Sequence, residues 1–147
     1  MARRAIRSPQ ERDAPYARGA DSDPVQRLFE DGGELLAVRA RQVGSGQIAE
    51  LAFDFPTGTL HCRCNVDTDE IIIEVVDAAS LDYSVIRDEA LAGLRGMSVS
   101  DAWLMTNDRG YTDALQLRFT DTEGREETRQ FEVAASTISL RLVVDQR

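Results

Sequence analysis

A chain of 147 residues with 42% apolar side chains is long enough for one domain with a buried core, and its composition is far from that of a disordered tail. The net charge is −9: seventeen basic residues, all arginine, and a single histidine stand against twenty-six carboxylates. Such a balance works against nucleic acid and anionic lipid as partners, and the lack of lysine rules out a lysine-bearing phosphate loop.

Residues 1–20 hold Arg3, Arg4, Arg7, Arg12 and Arg18 against Glu11 and Asp13, so the rest of the chain carries a formal charge of −12. With Pro9, Pro15 and no apolar periodicity, residues 1–20 read as a flexible Arg-rich arm, and 21–147 as a single domain. No apolar stretch follows the first arginines, as a secretory signal would require, and no run nears the roughly 20 apolar residues of a membrane span. A cytoplasmic protein with no membrane partner is expected.

A short helix comes next. Asp21 or Ser22 supplies a cap, Pro24 suits the first turn, Val25, Leu28 and Phe29 form one stripe, and Gly32-Gly33 end it. From Leu35 the period changes to two. Leu36, Val38 and Ala40 alternate with Arg39 and Arg41. Ala49, Leu51, Phe53 and Phe55 alternate with Glu50, Ala52 and Asp54. Leu60, Cys62, Cys64 and Val66 alternate with His61, Arg63 and Asn65, and Ile71, Ile73 and Val75 close the series. Gly44-Ser45-Gly46, Pro56-Thr57-Gly58 and Asp67-Thr68-Asp69-Glu70 separate these segments, which read as an antiparallel meander with one buried face. Residues 82–96 suggest a second helix, capped by Asp82 or Ser84, carrying Val85, Ile86, Ala90, Leu91 and Leu94 and closed by Gly96. Strands return at 98–106, around Leu115, Leu117 and Phe119, around Phe131 and Val133, and at 138–144. The turns between them fall at Asn107-Asp108-Arg109-Gly110 and Thr122-Glu123-Gly124. About eight strands and two short helices make an α+β domain, a mostly antiparallel twisted sheet curling toward a half-barrel with helices covering one face.

The candidate chemistry is sparse. A loop pairing Phe55 with Leu60 places Asp54 opposite His61, and pairing Val66 with Ile71 places Arg63 opposite Glu74. Asp54, His61, Arg63 and Glu74 then share one exposed face, as cross-strand ion pairs or as a polar binding surface. An Asp–His dyad is half of a catalytic triad, but alternation sends Cys62 and Cys64 to the other side, so no nucleophile accompanies it. The two cysteines, two apart on a strand, hold Cα atoms roughly 6.5–7 Å apart, too far for a relaxed disulfide, and read as free thiols of a reducing compartment. No second Cys/His pair completes a zinc site. The run Asn65-x-Asp67-x-Asp69 lacks the glycine and glutamate of a calcium loop. Neither a metal nor a cofactor is expected. Paired carboxylates of the glycosidase kind cannot be singled out among twenty-six acids.

The most distinctive segment spans residues 96–113 and contains the lone tryptophan, Trp103, with Asn107, Arg109, Tyr111 and Asp113 around a hairpin turn. These residue types favour protein contact. Asp113 falls in phase with Leu115, so its carboxylate needs a partner, either the turn N–H groups or the indole. Ala102 and Leu104 compete with Val99, Trp103 and Met105 for the inside. The pattern Trp103, Leu104, Asn107, Gly110, Tyr111, Asp113, followed by an alternating strand, resembles small bacterial domains grouped as families of unknown function, over roughly residues 35–145. That resemblance implies a bacterial cytosolic domain and carries over no catalytic residue.

The expected function is a non-enzymatic acidic domain that binds a basic protein, in one version an immunity- or antitoxin-type inhibitor. Two alternatives remain. One is a small-molecule-binding or enzymatic β-rich domain with a pocket between the sheet and the second helix, using Asp113, His61 or Tyr111. The other is a self-assembling homo-oligomer joined through the final strand.

Overall fold

The computed structural model describes residues 2–6, 23–44 and 46–143. Alternation does what the sequence suggests. Strands β2 (Ala37–Val43), β3 (Gln47–Phe55), β4 (Gly58–Asn65) and β5 (Glu70–Val76) form one antiparallel meander. Strands β7 (Ser98–Thr106), β8 (Thr112–Thr120), β9 (Glu126–Ala134) and β10 (Thr137–Val143) form a second. A single bridge, Ile138 against Ile48, joins β10 to β3 and makes the two meanders one sheet. Strand β5 packs against β8 and β9, and β4 against β9 and β10, so the sheet curls into a half-barrel around its apolar face. Phe53 of the first meander meets Phe131 of the second edge-on, with ring centroids 5.3 Å apart and planes at 73°.

Helix α1 (Pro24–Asp31) packs against β4, β5 and β7 and so bridges the meanders. Its cap is Asp23, whose side chain accepts the Gln26 N–H at 3.1 Å. Asp21 and Ser22, the expected caps, lie outside the described residues. Of the expected arm, residues 2–6 form strand β1 (Ala2–Ile6), antiparallel to β7, and residues 7–20 lie outside the described residues.

The largest departure from expectation is residues 77–96. Instead of one helix capped by Asp82 or Ser84 there is a 3-10 turn at Ala78–Ser80, then a two-residue strand β6 (Ser84–Val85) paired with β2, and only a single helical turn, α2 (Glu89–Ala92), capped by Asp88. Tertiary hydrogen bonding overrides the apolar period here. Ile86 donates its N–H to the Val38 carbonyl at 2.9 Å, and Arg39 binds the carbonyls of Leu81 and Ala78 at 2.8 and 3.1 Å. Leu91 and Leu94 still reach the core.

Two hairpins differ from the expected register: the β3–β4 turn is two residues shorter, and the β4–β5 loop keeps its four residues but starts one residue earlier. Phe55 pairs with Gly58, not Leu60, across the two residues Pro56 and Thr57. Cys64 pairs with Ile71, leaving Val66 in the loop and 74% exposed. In β7 the register shifts between Val99 and Asp101, and this bulge settles the competition for the inside: Val99 and Ala102 both face the core, and Trp103 lies opposite Gln116 on the other face.

The β9–β10 turn has only Ala135 and Ser136 between the paired Ala134 and Thr137, with φ of 51° and 67°. Both sit in the left-handed region that a two-residue hairpin demands, with neither Asn nor Gly to relieve it. Replacing the pair, Ala135→Asn with Ser136→Gly, is expected to raise unfolding free energy by about 1 kcal/mol, measured as a shift of the urea midpoint without change of slope.

Candidate functional site

The outer face of the first meander carries the densest polar arrangement among the described residues. Its middle is not exposed, as the alternation suggests, but covered by the segment 77–86. Ala52 and Thr59 are fully buried and His61 is only 6% exposed. A covered polar face must satisfy its own hydrogen bonds, and two linked groups of side chains do so.

In the first, Arg39 clamps Asp54 with a two-pronged fork, Nε to Oδ2 at 2.7 Å and Nη2 to Oδ1 at 2.9 Å. The Thr59 hydroxyl donates to the same carboxylate at 2.7 Å. Two further guanidinium hydrogens go to the carbonyls of Leu81 and Ala78, so one side chain joins β2, β3 and the covering segment.

In the second, His61 sits between two glutamates. Its Nε2 lies 2.8 Å from Glu50 Oε1 and 3.2 Å from the Tyr83 hydroxyl, and its Nδ1 lies 3.1 Å from Glu74 Oε1. The Tyr83 ring leans over the imidazole at 5.9 Å. Arg41 pairs with the other Glu50 oxygen, and Arg63 stands 3.6 Å from Glu74. Burial pushes the Glu50 carboxyl up, but hydrogen bonds from Arg41, Tyr83 and His61 outweigh it and hold Glu50 below its ordinary value. Burial and the neighbouring Glu50 carboxylate push the Tyr83 phenol up, so it stays a donor.

Asp54, His61, Arg63 and Glu74 therefore do share a face, but the Asp54–His61 dyad does not form. The tighter β3–β4 turn puts Thr59 opposite Asp54 and Ala52 opposite His61, and the shifted β4–β5 loop puts Glu74 opposite His61 and Ile72, not Glu74, opposite Arg63. Glu50 takes the place beside the imidazole. Its role was readable from its position two residues before Ala52 on the same face. Tyr83 was not, because its segment carries a helical period. Cys62 and Cys64 point into the core as unpaired cysteines; burial raises the Cys62 thiol well above its ordinary value and the Cys64 thiol in the same direction, which leaves them poor nucleophiles. Among the described residues no three His, Cys, Asp or Glu side chains are placed to hold a metal ion.

A separate polar cluster lies on the other meander. Asn107 Oδ1 accepts the N–H groups of Arg109 and Tyr111 at 2.9 and 3.1 Å, and its Nδ2 donates to Asp113 Oδ2 at 3.2 Å. Asp113 thus reaches the turn through the Asn107 side chain, and its Oδ1 is buried without a hydrogen bond. Arg109 and Tyr111 project from the turn, exposed. The Arg118 guanidinium lies 5.2 Å from the Trp103 ring centroid. Surface depressions run beside Leu36, Ala92 and Arg95, and beside α1 and the β3–β4 turn; His61, Tyr111 and Asp113 line none of these.

Two outcomes follow for the polar face. Arg39→Met leaves Asp54 without its fork and is expected to cost about 3 kcal/mol, read by chemical denaturation, with part of the loss recovered in Arg39→Met/Asp54→Leu. Because the Glu50 value is depressed on folding, its stabilisation is complete above the ordinary 4.5 and is lost as pH falls through the lower folded value. The stability gap between wild type and Glu50→Gln should be full near neutrality and shrink below about pH 4.5, as followed by unfolding curves across that range.

No helix among the described residues is long and apolar enough to cross a membrane. No curated protein and no solved structure matches the chain. A family model does match, over residues 25–147, which runs from the second residue of α1 through β10 and includes the Trp103–Asp113 hairpin. The chain belongs to DUF6334, a family of unknown function.

Proposed function

We propose that this is a non-enzymatic domain that binds a basic protein, in the manner of an immunity- or antitoxin-type inhibitor, in the reducing cytoplasm suggested by its free buried thiols. The observation that carries the reading is how the charge is displayed. The segment 77–89, of which 77–86 covers the polar face, holds Asp77, Asp82, Asp88 and Glu89 exposed against Arg87 alone. On the strands beside it three arginines are held in ion pairs, the largely buried Arg39 with Asp54 and the more exposed Arg41 with Glu50 and Arg63 with Glu74. The segment therefore presents four exposed carboxylates against one arginine. Exposed carboxylates in such a field accelerate encounter with a cationic partner and make it sensitive to salt. Exposed Arg109 and Tyr111, with Trp103 farther along the same hairpin, supply side chains suited to anchoring such a partner.

A self-assembling role has one observation in its favour. Residues 139–143 of β10 have β9 on one side and no described strand on the other, and Leu142 is 57% exposed. The charge of −9 per copy opposes it.

The test is capture on the immobilised full-length chain at low and high salt, with Asp82→Asn/Glu89→Gln as the comparison. Those two carboxylates are chosen because Asp77 and Asp88 cap local turns. A basic protein retained at low salt, released at high salt and held several-fold less well by the variant is the expected result. Retention indifferent to salt and to both substitutions counts against the reading.

A further inference from the structure

Strand β7 ends the family unit. The family model begins at residue 25, so without β1 the edge of β7 would stand unpaired. Residues 102–106 on that edge read Ala-Trp-Leu-Met-Thr, five residues with no charge and no proline. An apolar, uncharged edge of this kind is a template for another strand. In this chain it is filled: Ala2 to Ile6 pair antiparallel with Thr106 to Ala102, with Arg3 opposite Met105 and Arg4 opposite Leu104. Among the described elements β1 makes its extensive contacts with β7 alone, whereas β7 is also paired with β8 along its length and packed by α1. The strand is thus an addition to a finished sheet, held by one ladder. It also brings two arginines to the edge of a body whose formal charge beyond residue 20 is −12.

We propose that the β7 edge over residues 102–106 is a strand-addition site, that Ala2–Ile6 is its built-in ligand, and that an extended arginine-bearing segment of another protein binds there by displacing it. Main-chain pairing gives such a site affinity for any extended backbone, and the acidic body selects a basic one. Only one occupant fits at a time, so the chain's own strand lowers the apparent affinity by the fraction of time it is seated. The site stands whether or not the segment 77–89 is where a basic partner lands, because its readout needs no natural partner.

The probe is a fluorescent peptide with the sequence of residues 2–6. It is titrated into the full-length chain and into Arg4→Pro/Ala5→Pro. Neighbouring strand residues alternate in facing their partner, so one of the two prolines must remove a ladder donor. The peptide should bind the proline variant at least roughly tenfold tighter than wild type, and a peptide with both arginines replaced by glutamate should bind neither. In wild type alone, excess peptide should strip hydrogen-exchange protection from residues 3–6 while protection in β7 persists. A cooperatively folding proline variant that binds no tighter than wild type overturns the proposal. So does unchanged protection of residues 3–6 at saturating peptide.

Discussion

Both faces of β3 are closed to solvent. Leu51, Ala52 and Phe53, three consecutive residues that must point alternately to opposite sides, are all fully buried. A strand in that position needs two cores, and the chain builds them from opposite materials. Toward the inside of the half-barrel lie Phe53, Leu60, Phe131 and their neighbours, held by area removed from water. Toward the outside lie Arg39, Glu50, Asp54 and His61, held by charge-assisted hydrogen bonds that must be complete to be tolerable. The covering segment 77–86, the pairing of Arg39 with four acceptors and the position of Tyr83 all answer that second requirement.

The apolar half was legible and the polar half was not, for a physical reason. Burial of Leu51, Phe53, Leu60 and Cys62 follows from a period of two, a local property of sequence. Which polar partner each outward residue meets depends on register, and register depends on turn length. Reading Pro56-Thr57-Gly58 as part of a longer loop displaced Asp54 by two positions and paired it with His61 in place of Thr59. The slip was an even number, so every residue stayed on its face while every partner changed. The same reasoning explains Trp103: no local signal announces the bulge after Val99, and one inserted residue reverses the phase of the rest of the strand. For Ser84-Val85 the apolar spacing suited a helix, but main-chain pairing with β2 decided the outcome.

The absence of lysine takes on structural meaning here. A guanidinium presents five donors in a fixed plane and can serve a carboxylate and two carbonyls together; an ammonium is a point charge with no such fork. Arg39 uses this capacity on the polar face, and Arg129 does so elsewhere, donating to the Ala90 and Thr128 carbonyls and to Glu127. Through Arg129 the turn of α2 is tied to β9, much as the covering segment is tied to β2 and β3 through Arg39. Family membership over residues 25–147 encloses both of these ties.

The Arg39 fork also bears on motion. A surface segment with few apolar contacts would ordinarily open by itself, at little cost, many times for each global unfolding event. Here release of residues 78–83 strips two acceptors from a guanidinium that still has to serve Asp54, and lifts Tyr83 from the imidazole of His61. Opening the cover and loosening the sheet beneath it become one event, so the amides of the segment should exchange with solvent as a cooperative unit with the centre of β3, at a rate set by the interior and not by the surface on which they lie.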